Sequence, residues 1–127
     1  MPDYEENPPV LYFDDNWSET ESIVRYLESD GISVQVCNPF GMTPEEAAAK
    51  VNEVQPSAVL LEVNWSLKDE ENRDGLDAAK IISPDHPVVI ISSNSKHEEE
   101  ALRYGMFCER DNRLGIASAL RPYYEQG

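Results

Sequence analysis

The chain has 127 residues, 40% of them hydrophobic and 28% charged, the balance of a single folded domain with one core. Ten Lys and Arg face 25 Asp and Glu, for a formal net charge of −15. That excess argues against binding nucleic acid or an anionic membrane surface, since both need clustered cations. No apolar run approaches the roughly 18 residues of a membrane span. Two cysteines are too few for a disulfide framework and suit a reducing cytoplasm.

Residues 1–8 are acidic and proline-bearing, unlike a signal peptide, and read as a mobile tail. The folded domain is expected over 9–121, with a second tail over 122–127. Val10-Leu11-Tyr12-Phe13 is a β-prone run without alternation, the pattern of a strand buried on both faces. Ser18-Glu19-Thr20-Glu21 fits a capping box. Thr20, Ile23, Val24 and Leu27 then line one helix face, and Gly31 is placed to end that helix left-handed. Ile32–Cys37 reads as a strand with a more exposed face. Thr43-Pro44-Glu45-Glu46 is a second capping box, opening a helix that buries Ala47, Ala48, Val51 and Val54 and stops at Pro56.

Ala58–Val63 is the next buried strand, ending on Glu62 and Asn64. A polar stretch from Trp65 to Arg73 follows, then a short helix over Gly75–Ile82 stopped by Pro84. Pro87–Ile91 is a strand running into Ser92. Ser95-Lys96-His97-Glu98 is a third capping box, opening a helix that Gly105 ends. Met106–Glu109 is the last strand, and Arg113–Leu120 the last helix before Pro122. Strands alternating with helices imply right-handed βαβ crossovers, a parallel sheet covered on both faces, and a site at the strands' carboxyl ends. Asp14, Asp15, Glu62, Ser92 and Arg110 fall at those ends. Carboxylate oxygens in that number suit Mg²⁺ or Mn²⁺.

The segments VLYFDDN, AVLLEVN, DGLDAAK, PVVIISS and ALRYGMFCER, in this order, resemble the receiver domain of two-component response regulators. The resemblance spans roughly residues 9–121. It implies one doubly wound (βα)5 domain of the flavodoxin-like α/β class, with strand order 2-1-3-4-5. It also implies Asp14 and Asp15 as metal-site acids, Asn64 as a backbone-carbonyl ligand, Ser92 as a hydroxyl switch and Phe107 at the aromatic switch position. The departures from the family pattern are chemical. Glu62 stands where the family has its phosphoaccepting Asp, Arg110 replaces the lysine after strand 5, and Phe107 lacks a hydroxyl.

Glu is one carbon–carbon bond longer than Asp, about 1.5 Å. Its carboxylate therefore reaches toward where phosphoryl oxygens would lie, and is misplaced for in-line attack. Arginine offers a fork matched to a carboxylate, so Glu62–Arg110 is expected as a bidentate pair standing in for the phosphoryl–lysine contact. No cofactor is then required, and Mg²⁺ would bind weakly. The reading is a non-enzymatic, stand-alone, cytoplasmic pseudo-receiver of the phosphorelay type that acts through protein contacts independently of phosphorylation. The alternative is a phosphoryl-accepting, Mg²⁺-dependent response regulator, or an engineered Asp-to-Glu mimic of one. The implied partner is a signalling protein or histidine kinase. The implied surface is the helix 4–strand 5–helix 5 face with Tyr104, Phe107, Tyr123 and Tyr124, used as a monomer or for homodimers. Two acids in DDNWSET disfavour a flavodoxin-type phosphate loop. Cys37 and Cys108, on opposite sheet edges, are expected as buried free thiols, and His86 and His97 as solvated. The charged stretch Ser66–Arg73 is expected as a mobile flap.

Overall fold

The computed structural model describes residues 8–66 and 68–125, so most of the expected N-terminal tail lies outside the described residues. Five parallel strands, β1 (Val10–Phe13), β2 (Val34–Cys37), β3 (Val59–Glu62), β4 (Val88–Ser92) and β5 (Met106–Glu109), lie in the order β2-β1-β3-β4-β5. The helices are α1 (Trp17–Ser29), α2 (Pro44–Val54), α3 (Asp74–Ile82), α4 (Glu98–Ala101) and α5 (Arg113–Glu125). β1, β3 and β4 are buried at every position, as expected of strands covered on both faces.

Successive residues of each strand point to opposite faces, which divides the core in two. Leu11, Phe13, Val59, Leu61 and Ile90 pack with Ala47 and Val51 of α2 and Leu76 and Ala79 of α3. Tyr12, Leu60, Val89 and Ile91 pack with Ile23 and Leu27 of α1 and Ile116 and Leu120 of α5. The register aligns Phe13 with Leu61 and Glu62 with Ile91, so the carboxyl ends of β1, β3 and β4 finish at one level.

Several expected element ends move. α1 starts at Trp17, ahead of the proposed Ser18 box, with Asn16 at the N-cap and no side-chain cap. The turn into it is set by Asp14, whose Oδ1 accepts from the Asn16 amide at 2.9 Å. The Thr43 box forms as read, with Glu46 N–H donating to Thr43 Oγ1 at 3.0 Å and Thr43 N–H to Glu46 Oε1 at 2.9 Å. The third box does not form. Asn94 caps a 3₁₀ turn over Ser95–His97, and α4 holds only four residues. Only Ala101 of this segment is buried, so packing gives the helix little to extend on. α5 runs past Leu120 through Pro122 to Glu125, so residues 122–125 of the expected tail are helical and the last two lie outside the described residues. The proline removes a single helix bond near the chain's exposed end.

Gly31 has φ +86° just past α1, the left-handed ending expected of it. Gly75 is required for another reason. A Cβ there would stand 1.9 Å from the Glu62 carbonyl oxygen. Its amide donates to the Val63 carbonyl at 2.9 Å, so α3 begins pressed directly onto the end of β3. Gly75→Ala should therefore lose about 1–3 kcal/mol of stability in urea denaturation, the usual cost of overpacking. A variant as stable as the parent would show that α3 can retreat from β3.

Candidate functional site

The parallel order carries Asp14, at the end of β1, beside Glu62, at the end of β3. Both are buried, with side chains 0% and 4% exposed. Arg110 follows β5, two strands away, and its amide is held by the Ser92 carbonyl at 3.1 Å. Strands lie about 4.8 Å apart, so only a long side chain can cross the end of β4 to reach β3 and β1. Arg110 does so. Nη1 donates to Glu62 Oε2 at 2.6 Å, and Nη2 donates to Asp14 Oδ2. Nε lies against the carboxylate of Glu19, on α1, as an ion pair without the alignment of a hydrogen bond. The expected bidentate Glu62–Arg110 pair is thus replaced by a guanidinium shared among acids from β1, β3 and α1.

The remaining acceptors are also engaged. The Tyr12 hydroxyl donates to Asp14 Oδ2, and Glu62 Oε1 faces the Asn64 amide at 3.4 Å. Behind Glu62, its backbone carbonyl accepts from Trp65 Nε1 at 2.7 Å, and the indole stacks on Phe13 with ring centroids 5.8 Å apart. Burial works against the charge on Arg110, but Glu62 and Asp14 outweigh it, and the guanidinium is held still more firmly protonated than usual. Burial pushes the Glu62 carboxyl up to about 8, against the pull of Arg110 and helped by Asp14. Burial and the neighbouring Asp14 raise the Tyr12 phenol, which stays a neutral donor.

The sequence reasoning placed Asp14, Glu62 and Arg110 together, and they meet. It missed Glu19 and Tyr12. Tyr12 was legible, because residues i and i+2 of a strand share a face and Tyr12 therefore flanks Asp14. Glu19 was read only as an intervening residue of the Ser18–Glu21 capping box, with no role of its own. Asp15 is half-buried beside the cluster. Asn64 is turned toward the loop, with Nδ2 donating to the Asp69 carbonyl at 2.8 Å and Oδ1 accepting from the Ser66 amide at 2.7 Å. Ser92 Oγ accepts from the Asn94 amide at 3.0 Å, and among the described residues no hydrogen bond joins it to Glu62. Phe107 is half-buried against the α2–α3 side of the core, as is Tyr104, whereas Tyr123 and Tyr124 pack on the α1–α5 side. The four aromatics thus divide between the two faces of the sheet. The exposed apolar residues nearby are Leu102, Met106 and Leu114.

Described parts of the stretch expected as a flap are tied by hydrogen bonds to the strand end and to the start of α3. Asn72 Oδ1 accepts from the amides of Trp65 at 2.9 Å and Asp74 at 3.1 Å, and the Asn72 amide donates to the Asp69 carbonyl. Both cysteines are free thiols raised by burial, though Cys37 is only half-buried, with its Sγ 3.9 Å from Met42 Sδ. His86 and His97 are half-buried rather than solvated, and His86 Nε2 lies 3.1 Å from Asn52 Oδ1.

The acids do not fit a divalent cation as they stand. Both oxygens of Asp14 and Oε2 of Glu62 accept hydrogen bonds, and a guanidinium occupies the space between the carboxylates. Among the described residues no group of three His, Cys, Asp or Glu is set to hold a metal ion. Among the described residues no helix is long and apolar enough to cross a membrane.

No protein-family model and no curated protein matches the sequence. Solved structures match its fold. The Francisella response regulator 1452 receiver domain superposes with a TM-score of 0.69 at 21% identity, over 94% of this chain and 98% of that one. The receiver domain of NtrX from Brucella abortus gives 0.67 at 24% identity, over 93% and 99%. The beryllofluoride-activated NtrC4 receiver domain dimer gives 0.70 at 24% identity, over 94% and 98%. The fold of the chain is that of response-regulator receiver domains.

Two outcomes follow for the cluster. Arg110→Met leaves Asp14 and Glu62 buried without their counter-cation and should lose about 3–5 kcal/mol at neutral pH in urea denaturation; a loss under about 1 kcal/mol would mean the cation matters little. Glu62 is raised in the folded state, so its protonation favours folding. That contribution is full below its ordinary value of 4.5 and fades as pH rises through about 8. Glu62→Gln cannot titrate. Between about pH 5 and about pH 9 the parent should therefore lose stability relative to E62Q, and a constant gap would refute the shift.

Proposed function

We propose that the chain is a signal-transduction module of the two-component type that works without a phosphorylation cycle, as an atypical receiver contacting protein partners in the cytoplasm. The observation that carries this reading is the Arg110 guanidinium seated between Glu62 and Asp14. A receiver's acceptor must present a free carboxylate oxygen for in-line attack on phosphorus, with a metal ion to neutralise the charge that develops. Here the corresponding carboxylate is longer by a methylene, holds a cation already, and shares that cation with the neighbouring acid. The contact that phosphorylation would create is approximated by the Glu62 carboxyl held against the Arg110 guanidinium. Signalling by such a module rests on recognition of a fixed surface.

The test is chemical. The full chain is incubated with Mg²⁺ and a small acyl phosphate, and its intact mass is read. No phosphoryl adduct is expected. A gain of one phosphoryl group mapped to Glu62 would overturn the reading in favour of a phosphoryl-accepting regulator.

A further inference from the structure

We infer that Arg110 is the resident cation of this site: its guanidinium does for Asp14, Glu62 and Glu19 what a bound divalent metal ion would do, so that the native chain takes no metal there and a site for one opens only when the arginine is removed. The inference rests on the reading of Glu62 and Arg110 as a built-in pair, but not on the absence of phosphoryl transfer.

Three features support it. The guanidinium turns its three nitrogens toward three carboxylates, one each from β1, β3 and α1. That arrangement brings separate elements together on one positive centre, as an ion would. Its burial matches the role, for the side chain is 11% exposed and its two principal partners are almost completely enclosed. The oxygen chemistry matches as well. Mg²⁺ typically uses one or two carboxylates and keeps several waters. Asp14 and Glu62 would supply the carboxylates, but the N–H groups of Arg110 hold them both.

A route for a hydrated ion lies beside the cluster. A cavity of about 490 Å³, bordered by Ser18, Glu19, Ser22, Ser93 and Arg110, opens on the α1 side of the sheet's carboxyl edge. Arg110 borders both this space and the two buried carboxylates, so shortening it would open one toward the other. The charge left there then lacks a partner that solution can provide.

The experiment compares melting of the full-length parent and Arg110→Met in EDTA and in millimolar MgCl₂. The parent should melt at the same temperature in both. R110M should melt lower in EDTA and recover by about 5 °C when Mg²⁺ reaches about ten times its dissociation constant. Adding Asp14→Asn should abolish that recovery. A parent stabilised by Mg²⁺ in a manner lost with D14N overturns the inference, as does a folded R110M indifferent to Mg²⁺. Should R110M fail to fold under either condition, Arg110→Lys decides, because its single ammonium cannot serve three carboxylates. R110K is expected to gain Mg²⁺-dependent stability, and indifference to the ion refutes the proposal. A phosphoryl adduct on Glu62 with a Mg²⁺-indifferent parent melt sinks the signalling reading alone; a Mg²⁺-stabilised parent without an adduct sinks this one alone.

Discussion

Two carboxylates at the ends of adjacent strands, both shut away from water, cannot remain charged without a cation between them. Arg110 meets that constraint, and much of the surrounding structure follows from how it does so. The side chain must cross the end of β4, so β5 has to finish where its next residue can be anchored, on the Ser92 carbonyl. The acids must stand at one level, which the parallel register of β1 and β3 provides. Removing charges from water opposes folding, and the attraction between them returns that loss only when geometry is good and leftover acceptors are satisfied. Tyr12 and the Asn16 amide provide that satisfaction at Asp14. Glu19, which is 52% exposed, adds little stability by comparison, because solvent screens its pairing.

The other side of the site is built to keep Glu62 from moving. Its carbonyl receives the Trp65 indole, and Gly75 brings the first turn of α3 against the same peptide. The turn network of Asn64, Asp69 and Asn72 then ties the loop back to the strand end. Asparagine and aspartate side chains hydrogen-bond nearby backbone in this way, replacing the regular ladder that a loop lacks. A charged loop with few apolar anchors can thus still take hydrogen bonds at its ends. The cluster is held from below by packing and from its flank by short polar bonds.

The strand order came only with the resemblance to receiver domains, whereas the two-sided burial of β1, β3 and β4 and the meeting of Asp14, Glu62 and Arg110 at one edge were legible from apolar runs and from what ended them. Period and composition suffice there, because a strand buried on both faces admits few other readings. Helix starts were less legible. Ser18 resembles a cap in sequence, but the cap falls at Asn16, because Asp14 captures the Asn16 amide and starts the helix earlier. The fourth helix failed for want of burial, which no local pattern records. The sharing of the guanidinium among three acids was equally hidden. A pairwise view of Glu62 and Arg110 suggests a fork on a single carboxylate, and only the third dimension places Asp14 within reach of the same group.

The overall charge explains why an internal cation is worth its burial. With 25 acids and ten basic residues, the chain carries a strongly negative field that concentrates cations around it. A pocket of converging carboxylates would sit at a focus of that field, and its state would follow whatever ions the surroundings supplied. Coulomb attraction to a tethered guanidinium does not depend on concentration, and burial protects it from the screening that weakens exposed pairs. The arginine is held charged more firmly than usual by the acids around it. A site neutralised in this way keeps one arrangement of β1, β3 and β5 through changes in ionic conditions that would alter an ion-dependent one. Constancy of that kind suits a domain whose surface is to be read by contact, and would handicap one that must change shape each time a small anion arrives.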